Sequence, residues 1–160
     1  MFVKGIIDED FVNYKKSSMY IALGHCNWKC CKEAGIPITI CQNSELAKAK
    51  DIEVSVEELF HRYSQNPISK AIVFGGLEPM TMSGKILDFI DYFRKHGCLD
   101  DVVIYTGFEK DEISYIIYLL KQYKNIIVKF GRFKPNSEKR FDEVLGVTLI
   151  SNNQYAERIS

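Results

Sequence analysis

The chain lacks a dominant charge. Lysine and arginine number 21, aspartate and glutamate also 21, for a formal net charge of +0. Binding to nucleic acid through its phosphates needs a dominant positive field, so nucleic acid is not an expected partner. Long apolar runs are also missing. The stretch Ile113 to Leu120 is interrupted by Ser114 and two tyrosines, and it falls far short of the ~20 residues that cross a bilayer. At the N-terminus, Asp8, Glu9 and Asp10 arrive before an apolar region of signal-peptide length can form. No leader, no membrane and a cytoplasmic location are therefore expected. No repeat, low-complexity tract or linker divides the chain. Its 160 residues, 46% hydrophobic and 26% charged, point to one domain spanning 1–160 with a sizeable core.

Charge is uneven in one place. Lys121, Lys124, Lys129, Arg132, Lys134, Lys139 and Arg140 face a lone Glu138 between positions 121 and 140. A solvated basic face is the plain reading; a surface for an acidic partner or an anionic cofactor group is the sharper one.

Cysteine is present and concentrated. Four of the five, Cys26, Cys30, Cys31 and Cys41, fall in one stretch that follows the apolar run Met19 to Leu23. An odd total fits a disulfide framework poorly, and in a reducing compartment clustered thiols point to metal ligation or catalysis. Thiolates suit zinc or an iron–sulfur cluster. A zinc site using all four is the plain alternative, but the spacing is not that of two Cys-x2-Cys knuckles, and adjacent side chains diverge from a single ion. Cys98 stands alone after Gly97 and reads as a packed or surface thiol.

The remaining pattern alternates. Phe2 to Ile7 and Phe11 to Tyr14 read as a small N-terminal hairpin around Asp8-Glu9-Asp10. Ser55-Val56-Glu57-Glu58 is a capping box opening a helix, which Asn66-Pro67 ends. Ala71 to Phe74 is a fully buried strand. Ile86, Leu87, Ile90 and Phe93 give a helical stripe that stops at Gly97. Val102 to Tyr105, a helix over Ile113 to Leu120, Ile126 to Val128, and a last strand from Val144 to Ile150 follow. This α/β order implies right-handed crossovers and a mostly parallel sheet. About five parallel strands are too few for a closed eight-stranded barrel, which leaves an open partial (β/α) barrel or a flat doubly wound sheet, the former preferred. Polar and glycine-rich residues follow each strand, where sites form in such sheets.

Several of these landmarks together resemble the radical S-adenosylmethionine (SAM) enzymes, and among them the activating proteins of anaerobic (class III) ribonucleoside-triphosphate reductases. Gly5-Ile6-Ile7-Asp8-Glu9-Asp10-Phe11-Val12-Asn13 is similar to that family's opening. Gly24-His25-Cys26-Asn27-Trp28-Lys29-Cys30 and Cys41-Gln42-Asn43-Ser44-Glu45-Leu46 are similar to the two halves of its Cys-x3-Cys-x2-Cys signature. Gly75-Gly76-Leu77-Glu78-Pro79 resembles its Gly-Gly-x-Glu-Pro motif. Tyr105-Thr106-Gly107-Phe108, Gly131-Arg132-Phe133 and Ser151-Asn152-Asn153-Gln154 resemble later strand ends. The chain departs from the pattern in having ten residues between Cys30 and Cys41 instead of two. It also has Ile40 where an aromatic is usual, no glycine-proline pair before Met19, and Phe130 in place of an aspartate.

The resemblance implies a radical SAM-like fold and two cofactors, a 4Fe-4S cluster and SAM. Cys26, Cys30 and Cys41 would bind the cluster, with Cys31 the alternative to Cys30. Three thiolates leave one of four irons open for the amino and carboxylate groups of SAM. Gly75 and Gly76 would let the methionyl group approach, Glu78 would accept from its ammonium, and Pro79 would fix the turn. Thr106, Gly107 and Asn43 are further candidates to meet SAM. Trp28 reads as a lid over the strand ends, and His25 as a loop-orienting or solvent-facing residue. No catalytic residue is expected beyond the cluster and SAM. The implied activity is an oxidoreductase that cleaves SAM reductively and generates a glycyl radical on the large catalytic subunit of anaerobic ribonucleotide reductase. A flavodoxin or ferredoxin would donate the electron. A small radical SAM enzyme of the deazapurine-forming type and a non-catalytic zinc-binding module are the alternatives.

Overall fold

The apolar runs of the sequence become the middle of one sheet. A computed structural model describes residues 1–160. In chain order its elements are β1 (Phe2–Asp10), β2 (Ser18–Leu23), α1 (Lys29–Ala34), α2 (Ser44–Lys48), β3 (Ile52–Glu53), α3 (Val56–Ser64), β4 (Ala71–Gly76) and α4 (Ser83–Lys95). There follow β5 (Asp101–Tyr105), α5 (Ser114–Leu120), β6 (Ile126–Phe130), β7 (Arg140–Asp142), β8 (Val147–Leu149) and β9 (Tyr155–Arg158). Seven strands form a sheet in the order β3-β1-β2-β4-β5-β6-β9, while β7 and β8 pair separately. The pairs β2–β4, β4–β5 and β5–β6 are parallel. Each crossover carries a helix, as parallel pairing requires.

Side-chain alternation sorts the strands onto two faces. Ile72 and Phe74 of β4, Val102 and Ile104 of β5, and Ile126, Val128 and Phe130 of β6 pack with Leu59, Phe89, Ile90, Phe93 and Ile117 from α3, α4 and α5. The opposite face holds a smaller set, Ala71, Val73, Val103, Ile127 and Ala156, covered by Tyr14, Leu145 and Leu149 rather than by helices. All three longer helices thus lie on one side. Residues that follow β2, β4, β5 and β6 line one cavity at the carboxyl ends of these strands.

Local signals account for the helix limits. Ser55 Oγ accepts from Glu58 N at 3.0 Å, and Glu58 Oε2 accepts from Ser55 N at 2.8 Å. Gly97, at φ +80°, closes α4 with Cys98 N donating to Phe93 O.

Two expectations are corrected. The N-terminal hairpin around Asp8-Glu9-Asp10 does not form: β1 runs through to Asp10 and pairs antiparallel with β2, Asp10 opposite Ser18. The reversal comes later because the Asp10 carboxylate accepts from Asn13 N at 3.0 Å, closing a turn over Phe11 and Val12, which are exposed. The last strand, expected to be parallel over Val144 to Ile150, is shortened to β8 and pairs antiparallel with β7 outside the main sheet. No helix follows β6 to carry a crossover, so the chain folds into the β7–β8 pair and returns as β9, antiparallel to β6. Four strands, not five, are parallel. No helix is long and apolar enough to cross a membrane.

Candidate metal and cofactor site

The strand ends meet in register. Leu23 lies opposite Gly76, Phe74 opposite Ile104, and Tyr105 opposite Lys129. Above them is a cavity of about 360 Å³ whose wall includes Cys26, Cys30, Cys31, Cys41, Asn43, Gly75, Gly76, Glu78, Thr106 and Gly107. Every sequence-predicted ligand except Pro79 lines it. Pro79 is buried behind, at the first position of a 3-10 turn.

The cysteine loop is ordered by local bonds. Trp28 takes φ +57° and donates its N–H to the Cys26 sulfur at 3.2 Å, which starts α1 one residue later. Cys30 and Cys31 therefore share a short helix and diverge around it. A side chain on Gly107 would stand 2.8 Å from the Cys30 sulfur, whereas Cys31 is buried. The connector continues through Gly35, at φ +65°, and a 3-10 turn at Ile38–Ile40 into Cys41. Arg132 holds the helix down, pairing with Glu33, Glu109 and Glu112. Trp28 also lines the cavity; His25 is exposed, and its carbonyl accepts from Glu78 N at 2.8 Å.

The glycines of Gly75-Gly76 admit the protein's own atoms. A Cβ on Gly75 would meet the Tyr20 hydroxyl at 2.5 Å, and one on Gly76, at φ +87°, would meet the Leu23 nitrogen at 2.8 Å. Tyr20 Oη accepts from Gly76 N at 2.7 Å, and Asn43 Nδ2 donates to Gly76 O at 2.5 Å. Asn43 thus fastens the third cysteine's turn to β4.

Glu78 is buried and already holds three donors. Its Oε1 accepts from Thr106 Oγ1 at 2.6 Å and Met80 N at 3.1 Å, and its Oε2 accepts from Gly107 N at 2.8 Å. Burial pushes its carboxyl up, against those bonds and the charge of Lys129. Thr106 and Gly107 therefore act on Glu78 directly.

Lys129, Tyr20, Tyr105, Asn13, Phe133 and Gln154 also line the cavity; the sequence marks Tyr105, Phe133 and Gln154 only as parts of strand-end landmarks and gives none of the six a role in the site. Lys129 had a signal: it is the one charge in the apolar run Ile126–Phe130. Burial pushes its amine down to about 8, opposed by the charge of Glu78. With Lys129 buried and Arg132 in ion pairs, the basic stretch is not wholly a solvated face.

The donor chemistry fits an iron–sulfur cluster. Four free thiols share one cavity wall. Burial pushes Cys26 up to about 11, and Cys30 and Cys31 also upward, so ligation displaces protons.

Comparison with protein-family models matches residues 17–154 to the 4Fe-4S single cluster domain, which is found in radical SAM-type enzymes. The match takes in all four loop cysteines and every parallel strand. No curated protein matches the sequence.

Proposed function

The chain belongs to the 4Fe-4S single cluster domain family, and from that premise we propose that it is a radical SAM oxidoreductase that activates anaerobic ribonucleotide reductase. One observation carries the reading: the thiol loop and the Gly75–Glu78 segment line a single cavity. Cys26, Cys30 and Cys41 hold the cluster. A 4Fe-4S cluster held by these thiolates would supply the one-electron reduction that cleaves the sulfonium of SAM. The protein's part is to bind, orient and exclude water.

Glu78, fixed by Thr106, Gly107 and Met80, keeps lone-pair capacity on Oε2 for the ligand's ammonium. Gly75, Gly76 and Asn43 set the strand end that carries it. Trp28 covers the thiols from the loop side. The four parallel strands, with helices on one face and the cavity toward the other, are read as an open part of a (β/α) barrel.

A macromolecular substrate is favoured by the rim. Ile38 is 45% exposed and Ile40 51%, large apolar side chains beside Cys41 that offer a contact to a protein. The partner is the large catalytic subunit of anaerobic ribonucleotide reductase, and the electron donor a flavodoxin or ferredoxin.

The test is anaerobic purification with iron and sulfide analysis, then reduction with SAM and assay for 5′-deoxyadenosine. Addition of the reductase subunit should give a glycyl radical signal by electron paramagnetic resonance. SAM consumption with conversion of a small molecule and no partner radical overturns the activase reading. Zinc without SAM cleavage overturns the radical SAM reading altogether.

A further inference from the structure

The cavity holds a charge that its proposed chemistry leaves without work. Lys129 is the next-to-last residue of β6, opposite Tyr105, and is 6% exposed. Its ammonium carries three N–H donors but makes one hydrogen bond, to Gly131 O at 3.1 Å. The Tyr105 ring centroid lies 6.0 Å away. Its bond does not go to Glu78, which accepts instead from Thr106, Met80 and Gly107. Gly131 O is shared with Gln154 Nε2 at 3.3 Å. Burying an ammonium is costly unless a partner compensates it; the direct contacts here are one carbonyl and an aromatic face, and the charge of Glu78 acts on it without a hydrogen bond. Lys129 and Glu78 both line the same wall. A buried cation and a buried carboxylate, unpaired with each other, are complementary to the two ends of a zwitterionic α-amino acid.

We infer that Lys129 is the carboxylate-binding residue of this cavity, holding the carboxylate of the same ligand whose ammonium meets Glu78. The inference rests on the reading of the cavity as a SAM site. It assigns the ligand's two charged groups to β6 and to the turn after β4. The role is binding and orientation; Lys129 exchanges no proton and forms no covalent bond.

The test compares SAM with its decarboxylated analogue, S-adenosyl-3-methylthiopropylamine, titrated by anaerobic calorimetry into the cluster-loaded, unreduced protein. Lys129→Met should weaken SAM binding about tenfold or more, the scale of a lost charge-assisted bond. It should leave affinity for the decarboxylated analogue within about twofold of the wild type. Any contribution of the open iron is common to both proteins and cancels in the comparison. Lys129→Gln, which keeps a donor, serves if the methionine variant does not fold. Equal weakening of both ligands, or of neither, overturns the carboxylate assignment while leaving the SAM reading intact. A wild-type protein that binds neither ligand overturns the SAM reading, and the assignment with it.

Discussion

Thr106 Oγ1 donates to Glu78 Oε1 at 2.6 Å and accepts from Phe108 N at 3.1 Å. This hydroxyl joins the end of β5 to the turn after β4 and holds a buried carboxylate in place. Thr106→Val keeps the shape and removes the bond. The carboxyl of Glu78 is already raised by burial, and the variant raises it further. A group whose folded pKa exceeds its unfolded value costs stability as pH rises between the two. The variant should therefore be less stable at neutral pH, by about 1–3 kcal/mol. The gap should narrow below the ordinary carboxylate range, where Glu78 is protonated in both states. Urea unfolding at several pH values measures it, and a gap that widens toward acid would refute the assignment.

The strand ends were legible because each combined a short apolar run with a glycine or polar stop: Phe74 before Gly75, Tyr105 before Thr106. Lys129 was not, because a lone lysine in a basic stretch looks like surface; only alternation along β6 turns it to the cavity side with Ile127. Tyr20 was hidden for a similar reason. It reads as a buried strand residue, and its bond to Gly76 N depends on the parallel register of β2 and β4. The N-terminal hairpin failed because the Asx turn at Asp10 outweighed the acidic tripeptide as a turn signal. The last strand failed because antiparallel return needs no helix, and strand direction is not written in β propensity.

The glycines differ in what they protect. Gly76→Ala puts a methyl 2.8–2.9 Å from the backbone of Ala22 and Leu23 at a positive φ, and should cost about 2–4 kcal/mol of stability. Gly107→Ala meets a thiol instead, with Cys30 Sγ at 2.8 Å and Glu78 Oε2 at 3.2 Å. Its melting temperature should stay near the wild type, while iron per chain falls. Thermal melts and iron analysis on both variants separate the two effects.

Serine variants identify the ligands. Cys26→Ser, Cys30→Ser and Cys41→Ser should each lose the cluster, read as visible absorbance and iron-to-sulfide content after anaerobic reconstitution. Cys31→Ser should keep it, because Cys31 is buried while Cys26, Cys30 and Cys41 are partly exposed. Loss with Cys31→Ser and retention with Cys30→Ser would exchange the pair, and Gly107→Ala would then leave the iron content unchanged.

Arg132 is the clasp of the connector. Its guanidinium reaches Glu33 on α1 as well as Glu109 and Glu112, and the bond from Arg132 drives the Glu112 carboxyl well below the usual range. Arg132→Met should release α1 from the strand ends. Limited proteolysis should then cut within residues 32–40 several times faster than in the wild type, with slower cuts elsewhere unaffected.

Asp101 supplies a control far from the thiols. It opens β5, at the opposite end from the cavity, and accepts from Tyr14 Oη at 2.9 Å, Lys16 Nζ at 2.6 Å and Arg158 Nη2 at 2.8 Å. Burial pushes its carboxyl up, but the bonds from Lys16, Arg158 and Tyr14 prevail and hold it below the usual range. A depressed folded pKa gives stability that is complete above the unfolded value and lost as pH falls through the folded one. Asp101→Asn should therefore cost about 1–3 kcal/mol at neutral pH, and the difference should shrink in acid as the wild type loses the same contribution. Because β9 and the Tyr14 turn are tied here while the cysteines are held at the other end of the sheet, the variant should bind iron and sulfide as the wild type does. A cluster lost along with stability would mean that the two ends of the sheet are coupled more tightly than their separate bonding implies.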